Sequence, residues 1–243
     1  MKNILIGFVL VFYTCIVSAQ LATGTWETHF SYKQGRSLTI ADDKVYVVGS
    51  GFLFSYGLND NAVETYSKLN GLNDVEISLV RYYSDKNLLF IGYVNGNIDL
   101  LVDSKIINIQ DIKLASINGS KRINNVTFFE NMAYISTDLG IVVLNLDRNE
   151  IKETYTLNSG IGNNAVNGVA ILKGWIYAAT DMGLYKCNLS NQQILNFANW
   201  EYETAFPEYN KRYAEVKVFN THLLAVRADN AGSNYKLFAY RNN

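Results

Sequence analysis

The sequence predicts an all-β protein, a β-propeller of four-stranded antiparallel blades, on three observations. First, strand-and-turn segments closed by Gly51, Gly96, Gly140 and Gly183 recur 45, 44 and 43 residues apart. Second, each closing glycine is followed by another apolar strand, so the repeating unit contains a hairpin. Third, one proline stands against 17 glycines, 17 tyrosines, 12 phenylalanines and 29 asparagines, the composition of short aromatic strands joined by Asn and Gly turns. No segment carries a 3.6-residue apolar stripe, which argues against a helical solenoid.

The elements follow in order around each hairpin. An apolar run precedes it: Glu76 to Tyr83, Val126 to Phe129, Val166 to Leu172 and Val216 to Phe219. A polar, alternating run follows it, as in Ala62-Val63-Glu64-Thr65-Tyr66 and Ile151-Lys152-Glu153-Thr154-Tyr155. An apolar first strand and a half-polar last strand match a blade whose first strand lines the central channel and whose last forms the rim. Blades are expected at about 36 to 68, 75 to 110, 123 to 157 and 165 to 197, with an incomplete one from 213 to 240 that lacks its outer strand. The alternating segment Trp26 to Tyr32 could supply that strand and close a five-bladed ring. The alternative is part of a larger, seven-bladed propeller, which leaves apolar blade faces uncovered.

The N-terminus reads as an export signal. Lys2 precedes an apolar run from Ile4 to Val17, and small residues stand at Val17-Ser18-Ala19. The run is shorter than the roughly 20 residues of a spanning helix, so residues 1–19 are expected to be cleaved and 20–243 to form the propeller domain, with no transmembrane segment left. Cleavage removes Cys15 and leaves Cys187 alone, which excludes an internal disulfide framework and a cysteine zinc site. Removing Lys2 leaves 20 basic against 22 acidic residues, a formal charge of −2 without blocks of one sign, so nucleic acid is not an expected partner.

Strand order places the links between blades and the turns inside the glycine hairpins at one end. That face gathers Asn73 and Asp74, Asn118-Gly119-Ser120, the Ser159 to Asn163 stretch with Asn163, and the turns at Asp138 and Asp181. Turn chemistry accounts for these residues, since Gly and Asn tolerate positive φ; a binding face is the functional alternative, because loops on rigid scaffolds carry function. The segment Trp200 to Pro207 reads as an insertion between the fourth and fifth units. It holds the single proline and is aromatic outside the strand pattern, so Trp200 and Tyr202 are expected in a partner-contact loop. Tyr82, Tyr83, Tyr93 and Trp175 are expected mostly in packing, with stacking on sugars as the alternative.

No catalytic constellation stands out. His29 and His222 lie in strand contexts without spaced partners, and no nucleophile, phosphate-binding or dinucleotide motif is present. A carboxylate pair drawn from Asp99, Asp138 and Asp181 could in principle cleave glycosides, but Asp before Gly is ordinary turn composition. The protein is therefore expected to be a non-enzyme without cofactor or metal.

The Gly71-Leu72-Asn73-Asp74 turn and the Thr180-Asp181-Met182-Gly183 hairpin resemble the two-component-regulator propeller repeat. More particular are Trp26-Glu27-Thr28-His29-Phe30-Ser31-Tyr32 after the signal, the run from Glu64 to Asp74, and Tyr93-Val94-Asn95-Gly96-Asn97-Ile98-Asp99-Leu100-Leu101. Together they resemble the N-terminal propeller of the PorZ family, components of the type IX secretion system of Bacteroidetes. The resemblance implies an exported protein at the cell surface or outer membrane, with the periplasm as the alternative. It also implies an attachment complex with a PorU-like sortase and the barrel proteins PorV and PorQ, in which cargo is anchored and anionic lipopolysaccharide is delivered. Family members carry two propellers and a C-terminal β-sandwich, so a sequence ending at Asn243 is expected to be a fragment or single domain of such a protein. The repeat also implies a second reading, a glycan-sensing extracellular module of a hybrid two-component regulator.

Overall fold

The computed structural model describes residues 34–157, 165–229 and 234–241. The chain divides into two compact units, residues 1–31 and 32–243, and all described residues belong to the second. The export signal, the strand expected at Trp26 to Tyr32, His29 and Asn163 lie outside the described residues.

Among the described residues, nineteen strands form five antiparallel sheets. The first sheet holds β1 (Gly35–Ala41), β2 (Lys44–Gly49), β3 (Phe52–Gly57) and β4 (Val63–Tyr66); the second holds β5 (Ile77–Tyr83), β6 (Leu88–Tyr93), β7 (Ile98–Val102) and β8 (Lys105–Ile109). The third holds β9 (Ile123–Phe129), β10 (Met132–Thr137), β11 (Gly140–Asn145) and β12 (Glu150–Tyr155). The fourth holds β13 (Val166–Leu172), β14 (Trp175–Thr180), β15 (Gly183–Asn188) and the two-residue β16 (Glu201–Tyr202). The fifth has three strands, β17 (Tyr213–Phe219), β18 (His222–Ala228) and β19 (Tyr235–Arg241). A one-turn helix, α1 (Asp111–Leu114), lies in the link from the second sheet to the third.

Each sheet is a blade, and the second, third and fourth, packed on both faces, have middle strands such as β6 and β11 that are almost entirely buried and apolar. In β6, Leu89, Ile91 and Tyr93 pack with Val48 and Leu53 of the first blade, while Leu88 and Phe90 pack with Val126, Ile135 and Leu144 of the third. Tyr134, Ile141 and Val143 then meet Val169, Ile176 and Ala178, and Ala170, Tyr177 and Leu184 meet Val216, Leu223 and Ala225. These four interblade cores join five blades in sequence. Among the described residues no such core joins the fifth blade to the first: Leu38, Ile40, Phe219 and Leu237 are each about 60% exposed or more.

Every inner strand slips register by one residue near its start, leaving Arg36, Ser78, Asn124, Asn167 or Ala214 unpaired. A bulge of this kind bends the strand and re-aims one side chain. Strand alternation does not reveal it, because one extra residue changes the pattern only locally.

The stretch expected to be an insertion after the fourth blade instead completes that blade. Glu201 and Tyr202 pair with Lys186 and Tyr185 of β15, so the outer strand follows a long connection and the fourth blade ends at Tyr202 instead of at about 197. Two paired residues are too few to show a period.

Candidate functional site

The face formed by interblade links and hairpin turns is built on repeated local chemistry. In the turn after β10, Thr137 Oγ1 donates to the Gly140 carbonyl at 2.9 Å and accepts from Leu139 N–H at 3.1 Å. Thr180 repeats this with the Gly183 carbonyl and the Met182 and Gly183 amides. Gly140 and Gly183 have φ of 128° and 154°, and a Cβ on Gly140 would stand 2.2 Å from the Tyr155 carbonyl oxygen. Both features demand glycine. The intervening aspartates turn back onto the fold: Asp138 accepts from Asn124 Nδ2 at 2.8 Å, and Asp181 accepts from Asn167 Nδ2 and Arg212 Nε, each at 3.0 Å.

Asn73 and Asp74 are tied down in the same way. The Asn73 backbone N–H and Nδ2 both donate to the Asp99 carboxylate at 2.9 Å; Tyr93 Oη and Asn108 Nδ2 supply two further donors at 2.6 and 2.8 Å. Asp99 is fully buried and its charge is met by four donors, so it is a brace for the Gly71 to Asp74 turn. Burial together with that contact pushes the Tyr93 hydroxyl well above its ordinary range. Asp74 accepts from Lys113 Nζ and Asn95 Nδ2, both at 2.7 Å, and from Val75 N–H at 3.0 Å. Burial alone would raise its pKa, but these three donors outweigh it and hold the carboxyl below the usual carboxylate value.

The expectation that Trp200 and Tyr202 form an exposed contact loop is replaced by packing. Trp200 is 5% exposed, its ring lies 6.0 Å from that of Tyr155 in the core between the third and fourth blades, and its Nε1 donates to the Ile194 carbonyl at 2.9 Å. Tyr202 is half-buried and stacks on Tyr185 with centroids 4.5 Å apart. A two-residue outer strand covers little area, and these large rings seal the blade in its place. Tyr83 likewise stacks on Phe128, and Cys187 is a buried free thiol.

Among exposed polar residues such as Glu76, Asp111 and Asn118, the face also presents apolar side chains outward. Val75 stands in the first link, Leu114 and Ile117 in the second, and Met182 in the fourth blade's hairpin; each is half exposed or more. Beside Ile117 opens a cleft of about 410 Å³ walled by Ile112, Ala115, Leu139, Val142 and Ile151, with Thr154 and Thr156 at its side. The four exposed residues are scattered singly through loops, so only their shared position at one end of the strands reveals them. The glycosidase alternative finds no support, because Asp99 is sealed from solvent and Asp138 and Asp181 are engaged by bulge asparagines. Among the described residues, no group of three or more His, Cys, Asp or Glu side chains is placed to hold a metal, and no helix is long and apolar enough to cross a membrane.

The family model for the PorZ N-terminal β-propeller domain of the type IX secretion system matches residues 45–201. No curated protein matches the sequence. Among solved structures, similarity extends to PorZ, described as an essential surface component of the type IX secretion system of Porphyromonas gingivalis, with a TM-score of 0.74 and 20% identity over 90% of this chain and 28% of that one. The extracellular domain of a protein described as a hybrid two-component system of B. thetaiotaomicron aligns with a TM-score of 0.67 and 18% identity, over 90% of this chain and 28% of that one. The chain thus spans somewhat over a quarter of the length of these structures, and at such identities the likeness establishes a shared fold.

Proposed function

The chain belongs to the PorZ N-terminal β-propeller family, and from that premise we propose that it is a non-enzymatic binding scaffold of the type IX secretion attachment complex. In this reading residues 1–19 direct export and the propeller works at the cell surface. Its partners are a PorU-like sortase and the barrel proteins PorV and PorQ, and it serves the anchoring of cargo and the handling of anionic lipopolysaccharide.

The observation that carries the reading is the set of exposed apolar side chains, with the cleft beside Ile117, on the loop face. Val75, Leu114, Ile117 and Met182 gain nothing from water, and the cleft beside Ile117 is of a size that accepts a partner's apolar side chain. The rigid turns beneath, with their aspartates directed inward, hold the face in one shape, and a preorganised surface binds with less ordering cost. A second reading, an extracellular sensor module, is favoured by the likeness to the hybrid two-component structure. Affinity capture with the full-length protein from a Bacteroidetes outer membrane separates them. Recovery of sortase or barrel proteins supports the attachment complex, and their absence with retention of a glycan or a kinase-bearing chain supports the sensor.

A further inference from the structure

A second cavity, of about 400 Å³, lies where the first blade's inner strand approaches the fifth blade. It is lined by Arg36, Ser37 and Leu38 of β1, Val47 of β2, Arg81 of β5 and Lys217 of β17. All three charged lining groups are cations, and they come from three different blades. Arg81 is the anchored one. Its Nη1 donates to Ser37 Oγ at 2.9 Å and to the Val80 carbonyl at 3.0 Å, with the Leu38 carbonyl at 3.5 Å, while Nε and Nη2 have no protein acceptor among the described residues. Arg36 is the bulged residue of β1, and its side chain is exposed. Neither arginine is within ion-pair distance of a carboxylate among the described residues, although Glu215 is near enough to act on the charge of Arg81, and Lys217 pairs with Glu215 at 3.6 Å. Glu215 is itself engaged by Asn125 Nδ2 at 2.8 Å.

Three cations lining the cavity against one carboxylate, Glu215, leave it net positive, and a guanidinium fixed through one nitrogen keeps its Nε and Nη2 edge as a fork. That edge matches two oxygens of a carboxylate or phosphate. We propose that this cavity binds a small oxyanion, a phosphate ester or carboxylate, held by the Arg81 Nε and Nη2 edge and supplemented by Arg36 and Lys217. The site is separate from the loop face and stands whether or not the attachment-complex reading does. A free phosphate, an acidic sugar and an anionic lipid headgroup present the same chemistry.

Calorimetric titration of the whole chain tests it, with inorganic phosphate and glucuronate as probes and with phosphatidic acid against phosphatidylcholine vesicles. The expected result is saturable binding of at least one soluble probe, weakened by about tenfold or more in Arg36→Ala/Lys217→Ala with the melting temperature unchanged. Arg81→Lys, which keeps the charge and removes the fork, is expected to weaken binding as well; if that variant fails to fold, the Arg36/Lys217 pair decides. Selective uptake on phosphatidic acid vesicles identifies a lipid source, and binding of the soluble probes alone identifies a solute. No saturable binding of either soluble probe, or equal affinity in the double variant, overturns the proposal.

Discussion

Asn124 and Asn167 occupy the bulge position of successive inner strands and form the same pair of bonds. Asn124 Nδ2 donates to Asp138 Oδ1 at 2.8 Å and to the Val166 carbonyl at 3.0 Å; Asn167 Nδ2 donates to Asp181 Oδ1 at 3.0 Å and to the Tyr213 carbonyl at 2.9 Å. One amide thus ties its own blade's hairpin to the next blade's inner strand. The aspartate of the Thr-Asp-x-Gly turn is explained by this bridge: it orients the amide that joins the blades.

Replacing Asn167 with Ala is expected to destabilise the protein by about 1–3 kcal/mol, because the Tyr213 carbonyl and Asp181 lose a donor at a half-buried site. Urea unfolding measures this. Asp181→Ala should cost part of the same amount and add little in the double mutant, since the two act through one bridge.

Asp99→Ala removes an acceptor from four donors at once. With each unsatisfied buried donor costing about 1–3 kcal/mol, a loss of about 3 kcal/mol or more is expected. Hydrogen exchange should show accompanying loss of protection at Asn73, whose backbone N–H donates to Asp99.

Trp200→Ala tests the corrected position of that side chain. A core tryptophan costs about 3–5 kcal/mol when truncated, whereas Met182→Ser on the exposed hairpin should stay within about 0.5 kcal/mol of wild type. Thermal melts of the two variants compare them directly.

Asp74 sets a pH dependence. Its folded carboxyl titrates below the unfolded value of about 3.9, so the unfolded chain binds that proton more readily. The stability it contributes is present above about pH 4 and is lost as pH falls through the folded value. Acid unfolding curves of Asp74→Asn should accordingly fall less steeply below pH 4 than those of wild type, and Lys113→Met should bring the Asp74 titration closer to its unfolded value.

The central hairpins of the first four blades were legible because each rests on a local signal: a closing glycine at positive φ, followed by a second apolar strand. The middle and outer strands were legible from their patterning, as in the continuous apolar run of β6 and the alternation of β12. The outer strand of the fourth blade was not, because Glu201 and Tyr202 pair over only two residues and Trp200 is equally suited to core and surface. The bulges were hidden for a related reason, since a single residue slips at Asn124 and Asn167. At the loop face the sequence drew attention to Asp138 and Asp181, which carry charge but turn inward. The outward residues, Val75, Leu114, Ile117 and Met182, are ordinary singly and meaningful only when the strand order brings them to one end.

The central claim is that the loop face carrying these apolar side chains is the binding face. The most direct measurement is affinity capture from a Bacteroidetes outer membrane by the full-length protein carrying Leu114→Asp and Ile117→Asp, compared with wild type at matched melting temperature. The account predicts that the variant folds normally and loses the sortase and barrel partners recovered by wild type. Undiminished recovery by a folded variant would contradict it.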